Sequence, residues 1–109
     1  MNKEEMQKYV SDYNESHFNS EIFYCRSNDS VLYSFDNADE SENVLIDMCK
    51  IATETNITVI GFPKYDTDRI IRVTPGANHD EAVVTRELFT KENPLTKQVV
   101  TMNININSR

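Results

Sequence analysis

The stretch Asp36-Asn-Ala-Asp-Glu-Ser-Glu-Asn-Val-Leu-Ile-Asp-Met-Cys-Lys-Ile-Ala-Thr-Glu-Thr-Asn56 decides how the rest of the chain is read. It holds six acids and one base, which is −5 of the chain's formal charge of −7. Val44, Leu45, Met48, Ile51 and Ala52 recur at i, i+1, i+4, i+7 and i+8, the spacing of one apolar helix face. Acids early in the segment suit the positive end of a helix dipole. Asp36 or Asn37 can cap it, with Glu40 three residues after Asn37 in capping-box position. Asn56 is a plausible stop. The segment therefore predicts an amphipathic helix with a core-facing stripe and an acidic outer face.

Working outward, Lys3 to about His17 reads as a second helix, with Met6, Tyr9, Val10, Tyr13 and Phe18 near helical spacing. Its apolar stripe is thin, so it leans on the body of the protein. Glu21–Arg26 and Val31–Phe35 are β-branched and aromatic runs around the polar cluster Ser27-Asn-Asp-Ser30, the pattern of a hairpin. Ile57–Phe62 and Arg69–Thr74 form a second strand pair. Asn78-His-Asp-Glu81 has capping-box form, so a third helix is expected from Asp80 to about Thr90, ended by Asn93-Pro94. The tail from Lys97 to Asn107 alternates, with Val100, Met102, Ile104 and Ile106 on one side and Thr101, Asn103, Asn105 and Asn107 on the other. That is a half-buried strand. At an edge it would offer homodimerisation; an internal position would fill the sheet.

The expected fold class is α+β: an antiparallel β-sheet with about three helices, in the order α-β-β-α-β-β-α-β, as a single domain over residues 1–109. The recurring helix–hairpin order suggests two α-β-β units. No run of about 18 apolar residues is present, so no membrane span is expected. The polar, acidic start lacks the apolar stretch of a secretory signal, and two cysteines outside any C-x-x-C pair fit a reducing compartment. The expected location is the cytoplasm. Cys25 and Cys49 are expected to be buried thiols.

A charge of −7 argues against direct binding to nucleic acid, whose phosphates demand a basic face. It suits a larger protein partner with a basic surface. The candidate partner-binding residues are Asp36, Asp39, Glu40, Glu42, Asp47 and Glu54. The alternative is that they form an ordinary solvated helix face. A candidate ligand site groups Arg69, Arg72, Gly76, Asn78 and His79, where a helix N-terminus after a glycine turn could hold a phosphate-bearing molecule such as a nucleotide. Arg69 and Arg72, three apart in a strand, point to opposite faces, which favours Arg72. The alternative is an ordinary turn and cap. His79-Asp80-Glu81 and the pair His17 and Cys25 lack converging partners, so no catalytic residue, metal or cofactor is assigned.

The functional expectation is a small acidic non-enzymatic binding protein. It would inhibit or neutralise a larger protein, as phage-encoded inhibitors of host or defence proteins and toxin immunity proteins do. A sequesterer of a phosphate-bearing ligand is the second reading. A small enzyme and a secretion-type chaperone fit the residues less well.

Overall fold

The computed structural model describes residues 2–36, 42–64, 69–78, 81–89 and 97–105. The elements are α1 (Lys3–Ser16), β1 (Ser20–Cys25), β2 (Ser30–Phe35), α2 (Glu42–Thr55), β3 (Thr58–Pro63), β4 (Arg69–Pro75), β5 (Glu81–Phe89) and β6 (Lys97–Asn105). The strands form one sheet in the order β1-β2-β3-β4-β5-β6. All neighbours are antiparallel except β2 and β3, which run parallel from Ser30↔Thr58 to Phe35↔Pro63. Parallel neighbours cannot be joined by a tight turn, so the chain must cross back between them, and α2 is that crossover.

Two expectations are corrected. The class remains α+β, but the sheet is mixed rather than antiparallel, and the order is α-β-β-α-β-β-β-β. The third helix is absent: Glu81–Phe89 is a strand hydrogen-bonded between β4 and β6. Val83, Val84 and Thr85 are β-branched and favour this outcome. Ala82 and Val84 are fully buried, and the next residue on their side is Arg86, opposite Ile71. A charged residue at a core-side position breaks the apolar alternation and hides the strand from a periodicity reading.

Both helices lie on one side of the sheet. Ile22 of β1, Val31, Tyr33 and Phe35 of β2, Val59 of β3, Ile71 and Val73 of β4, and Ala82 and Val84 of β5 share a cluster with Met6 and Tyr13 of α1 and Met48, Cys49, Ile51 and Ala52 of α2. The predicted stripe of α2 divides: Met48, Ile51 and Ala52 are buried, while Val44 and Leu45 are partly buried at its margin. Asn56, directly after α2, takes a positive φ of 57°, the left-handed conformation that ends many helices. Asp36, also expected as a cap, lies at the end of β2 six residues before α2 begins, and the proposed caps of α2 at Asn37 and Glu40 lie outside the described residues. α1 is closed at its start by Asn2, whose side chain accepts from Glu5 N (2.9 Å) while Glu5 Oε1 accepts from Asn2 N (3.2 Å). Phe18, expected on the stripe of α1, is 90% exposed just beyond the helix.

α2 sits close on β3 because Gly61 is there. A Cβ on Gly61 would collide with the sulfur of Met48, and Met48 is fully buried with little room to withdraw. Gly61→Ala is expected to cost about 1–3 kcal/mol by overpacking, and Met48→Ala about 2–5 kcal/mol by leaving a cavity. Combined, they should cost at least about 0.5 kcal/mol less than their sum, because the new methyl occupies space the sulfur vacated. Urea unfolding of the four proteins of this cycle measures the coupling. Additive losses would mean that the helix does not rest on this glycine.

Candidate functional site

Among the described residues, polar groups converge where the two helices meet the start of β1 and the middle of β2. The spacing of α2 aims Asp47 towards α1, one residue before the buried Met48. Both Tyr13 of α1 and Tyr33 of β2 donate their hydroxyls to Asp47 Oδ2, the second at 2.8 Å. Tyr13 Oη is also 2.7 Å from Ser20 Oγ, and since its single proton goes to Asp47, Ser20 is the donor there. Two turns further along α2, Tyr9 donates to Glu54 Oε2 at 2.6 Å. The His17 ring stacks on Tyr13 at 3.7 Å and 6°, and its Nδ1 lies 2.9 Å from the Tyr13 carbonyl.

These bonds explain how a thin-striped helix is held. α1 buries Met6 and Tyr13 and half-buries Tyr9 and Val10. The tyrosine–carboxylate bonds add charge-assisted contacts, each stronger than a neutral one. They also shift the groups involved. Burial, reinforced by Asp47, pushes the Tyr33 hydroxyl up to about 12. Burial and the Asp47 bond hold the Tyr13 proton well above the ordinary tyrosine range, and burial with Glu54 does the same for Tyr9.

A cavity of about 410 Å³ opens beside this network, its lining including Tyr33, Phe35, Asp36, Asp47 and Lys50. Two of the sequence-predicted partner residues, Asp36 and Asp47, are thus brought together. Asp36, Glu42 and Glu54 are exposed, Asp47 is half-buried, and Asp39 and Glu40 lie outside the described residues. The acids of α2 therefore differ in role. Asp47 and Glu54 tie α1 to α2, a job the sequence did not reveal because the tyrosines that use them are 34 and 45 residues away.

The predicted ligand group is dispersed. Arg69 stands 6.0 Å from the Phe35 ring on the helix side of the sheet, while Arg72 reaches Glu87 at 3.4 Å on the other. No helix begins after Gly76. Its N–H is spent on the Glu81 carbonyl (2.8 Å), Glu81 N donates to the Asn78 carbonyl (3.1 Å), and Asn78 Nδ2 donates to Glu81 Oε1 (2.9 Å). This is the connection between β4 and β5, and glycine is needed because a Cβ at Gly76 would stand 2.9 Å from Glu81 Cβ. His79 lies outside the described residues. The hollow beside the turn, about 300 Å³, is lined by Thr53, Asn56, Pro75, Gly76, Ala77 and Asn78, neither arginine among them. The anion-binding geometry expected of a helix N-terminus is therefore missing at this place.

The two cysteines are free thiols. Cys49 is buried, which pushes its thiol up to about 11, and Cys25 is half-buried with its sulfur 3.3 Å from Ser27 Oγ. Among the described residues no group of His, Cys, Asp and Glu could hold a metal ion, and no helix is long and apolar enough to cross a membrane. Compared with known proteins, the chain matches no family model, no curated protein and no solved structure.

Two measurements check the network. Asp47→Ala removes the acceptor of two tyrosine hydroxyls and is expected to cost about 2–4 kcal/mol, with Tyr13→Phe costing about half as much. A loss below about 0.5 kcal/mol for Asp47→Ala would show that α1 is held without the clamp. Stability should also fall in alkali. Cys49 is raised from 9.0 to about 11, and Tyr33 from 10.0 to about 12. Below the unfolded values both states keep these protons and the contribution is constant. Above them the unfolded chain releases protons that the folded chain retains, so stability declines from about pH 9 to about pH 12. Cys49→Ala should delay the onset of that decline by about one pH unit, read from urea midpoints.

Proposed function

We propose that this chain is a small acidic, non-enzymatic binding protein that neutralises a larger protein by covering a basic surface on it. Phage-encoded inhibitors of host or defence proteins and toxin immunity proteins work in this way. The carrying observation is the segregation of charge between the two layers. The two helices hold seven acids and three bases, whereas the six strands hold three acids and four bases. Because both helices lie on the same side of the sheet, their acids are displayed together. Glu4, Glu5, Asp12 and Glu15 of α1 and Glu42 of α2 are exposed on that side, and Asp36 is exposed at the end of β2.

Acids concentrated on two neighbouring helices attract a basic patch over a Debye length, orient the encounter and speed association. The helix layer as a whole, rather than α2 alone, is the docking surface in this reading. Asp47 contributes to it through the cavity it shares with Asp36, while also holding α1 in place.

The test is affinity capture from the native host, followed by binding kinetics. Association with the captured partner is expected to slow at least tenfold between about 0.05 and 0.5 M salt. Reversing Glu4, Asp12, Asp36 and Glu42 to lysine should abolish binding and leave the fold intact, because Asp47 and Glu54 are untouched. A quadruple variant that binds normally at low salt would reduce the acidic layer to solvated surface.

A further inference from the structure

The side of the sheet away from the helices has the opposite character. The register sets Phe23, Leu32 and Ile60 side by side across β1, β2 and β3. Phe62, Ile70 and Val83 alternate in the same phase on β3, β4 and β5, out of step with the buried residues of the core. Phe23 is 48% exposed, and the other five are half-buried. Among the described residues, α1 approaches this side at its rim, where Gln7, Val10 and Ser11 line a hollow with Phe23. The charged positions β1 to β5 place there are Glu21, Arg72, Glu81 and Glu87, and Arg72 pairs with Glu87 at 3.4 Å.

Four to five strands at about 4.8 Å spacing and five residues at about 3.3 Å rise give a face about 22 Å by 16 Å, roughly 350 Å² in plan, on which Ser34, Arg72, Thr74 and Thr85 stand among the apolar residues. Side chains make the accessible area larger than the plan. Soluble monomers seldom display a contiguous apolar patch beyond a few hundred Å² without a use for it. Two such faces together cover about 700 Å² in plan and bury more once side-chain relief is counted, approaching the roughly 1,000 Å² of a specific interface.

We propose that this sheet face is the interface of a homodimer, with a second copy packed sheet on sheet and the acidic helices turned outward on both sides. Charge selects the occupant. Another copy carries the same −7, and an approach through the helix layers would set acid against acid. This face carries Glu21, Glu81, Glu87 and Arg72, with Arg72 paired to Glu87, so fewer acids oppose one another here than between two helix layers. The arrangement is isologous, the same patch serving both partners. It leaves the proposed docking surface free on each copy and does not depend on that proposal.

Sedimentation velocity of the full chain decides it. At about 100 μM the protein should sediment as a dimer, and its dissociation constant should fall at least threefold between about 0.05 and 0.5 M NaCl, because salt screens the mutual repulsion of two acidic chains. Docking of the acidic helices on a basic partner has the opposite salt dependence, so the two ideas fail separately. Phe23→Ser, at a half-exposed position where folding is not at stake, should weaken the dimer at least tenfold. Ile60→Lys should abolish it. A monomer at about 100 μM in both salts overturns the proposal. So does a dimer that salt weakens, or one that Phe23→Ser leaves unchanged.

Discussion

The parallel pairing of β2 with β3 is the constraint on which the rest of this structure depends. A strand that must be rejoined in the same direction requires a return path over the sheet, and α2 supplies it. Once α2 lies across β3, β4 and β5, its stripe closes the core and its next residue, Asp47, is carried to the edge of that core. There it receives Tyr33 from the sheet beneath and Tyr13 from α1. A helix with few apolar residues of its own is thereby fixed beside α2. One consequence is that both helices share a side, and another is that the opposite face of the sheet carries neither, save α1 at its rim.

The acids of α2 serve two purposes that pull against each other. A carboxylate that accepts buried hydroxyls is part of the fold, and its reversal would unfasten α1 before it altered any encounter with a partner. Glu42 and Asp36, exposed, can change an encounter without disturbing that joint. The division matters for any experiment on this surface. Replacing Asp47, Glu54 or the capping Glu5 confounds stability with binding, whereas replacing Glu4 or Asp12 does not.

Much of the architecture was legible in the sequence, and the failures have physical causes. The two helices, the hairpin of β1 and β2, and the pairing of β3 with β4 come from periodicity and turn chemistry. The parallel β2–β3 contact does not, because nothing local to a strand records the direction of its neighbour. The strand β5 was hidden by Arg86 on its core side and by a misleading turn. The chain uses the pattern Asn-x-x-Glu three times, and two of them, at Asn2 and Asn78, lead to different outcomes. Asn2-Lys-Glu-Glu5 is a true capping box, with the Glu5 N–H on the Asn2 side chain. In Asn78-His-Asp-Glu81 the Glu81 N–H goes instead to the Asn78 backbone carbonyl, and the chain enters a strand. The residues just after each glutamate decide the outcome: Met6-Gln-Lys-Tyr9 favours a helix, and Ala82-Val-Val-Thr85 a strand. Of the candidate sites, the ligand group failed with the helix it presupposed, while the doubled role of Asp47 rested on residues too distant in sequence to be read.

The central claim is the mixed sheet itself, with α2 as a crossover and Glu81–Phe89 as its fifth strand. Cross-strand nuclear Overhauser contacts test it directly. The account predicts the parallel pattern linking Val31, Leu32 and Tyr33 to Val59, Ile60 and Gly61, together with close Hα–Hα contacts between paired residues of β4 and β5 such as Val73 and Val84. Sequential amide–amide contacts running from Glu81 to Phe89, or an antiparallel pattern between β2 and β3, would contradict it and return the chain to a three-helix design.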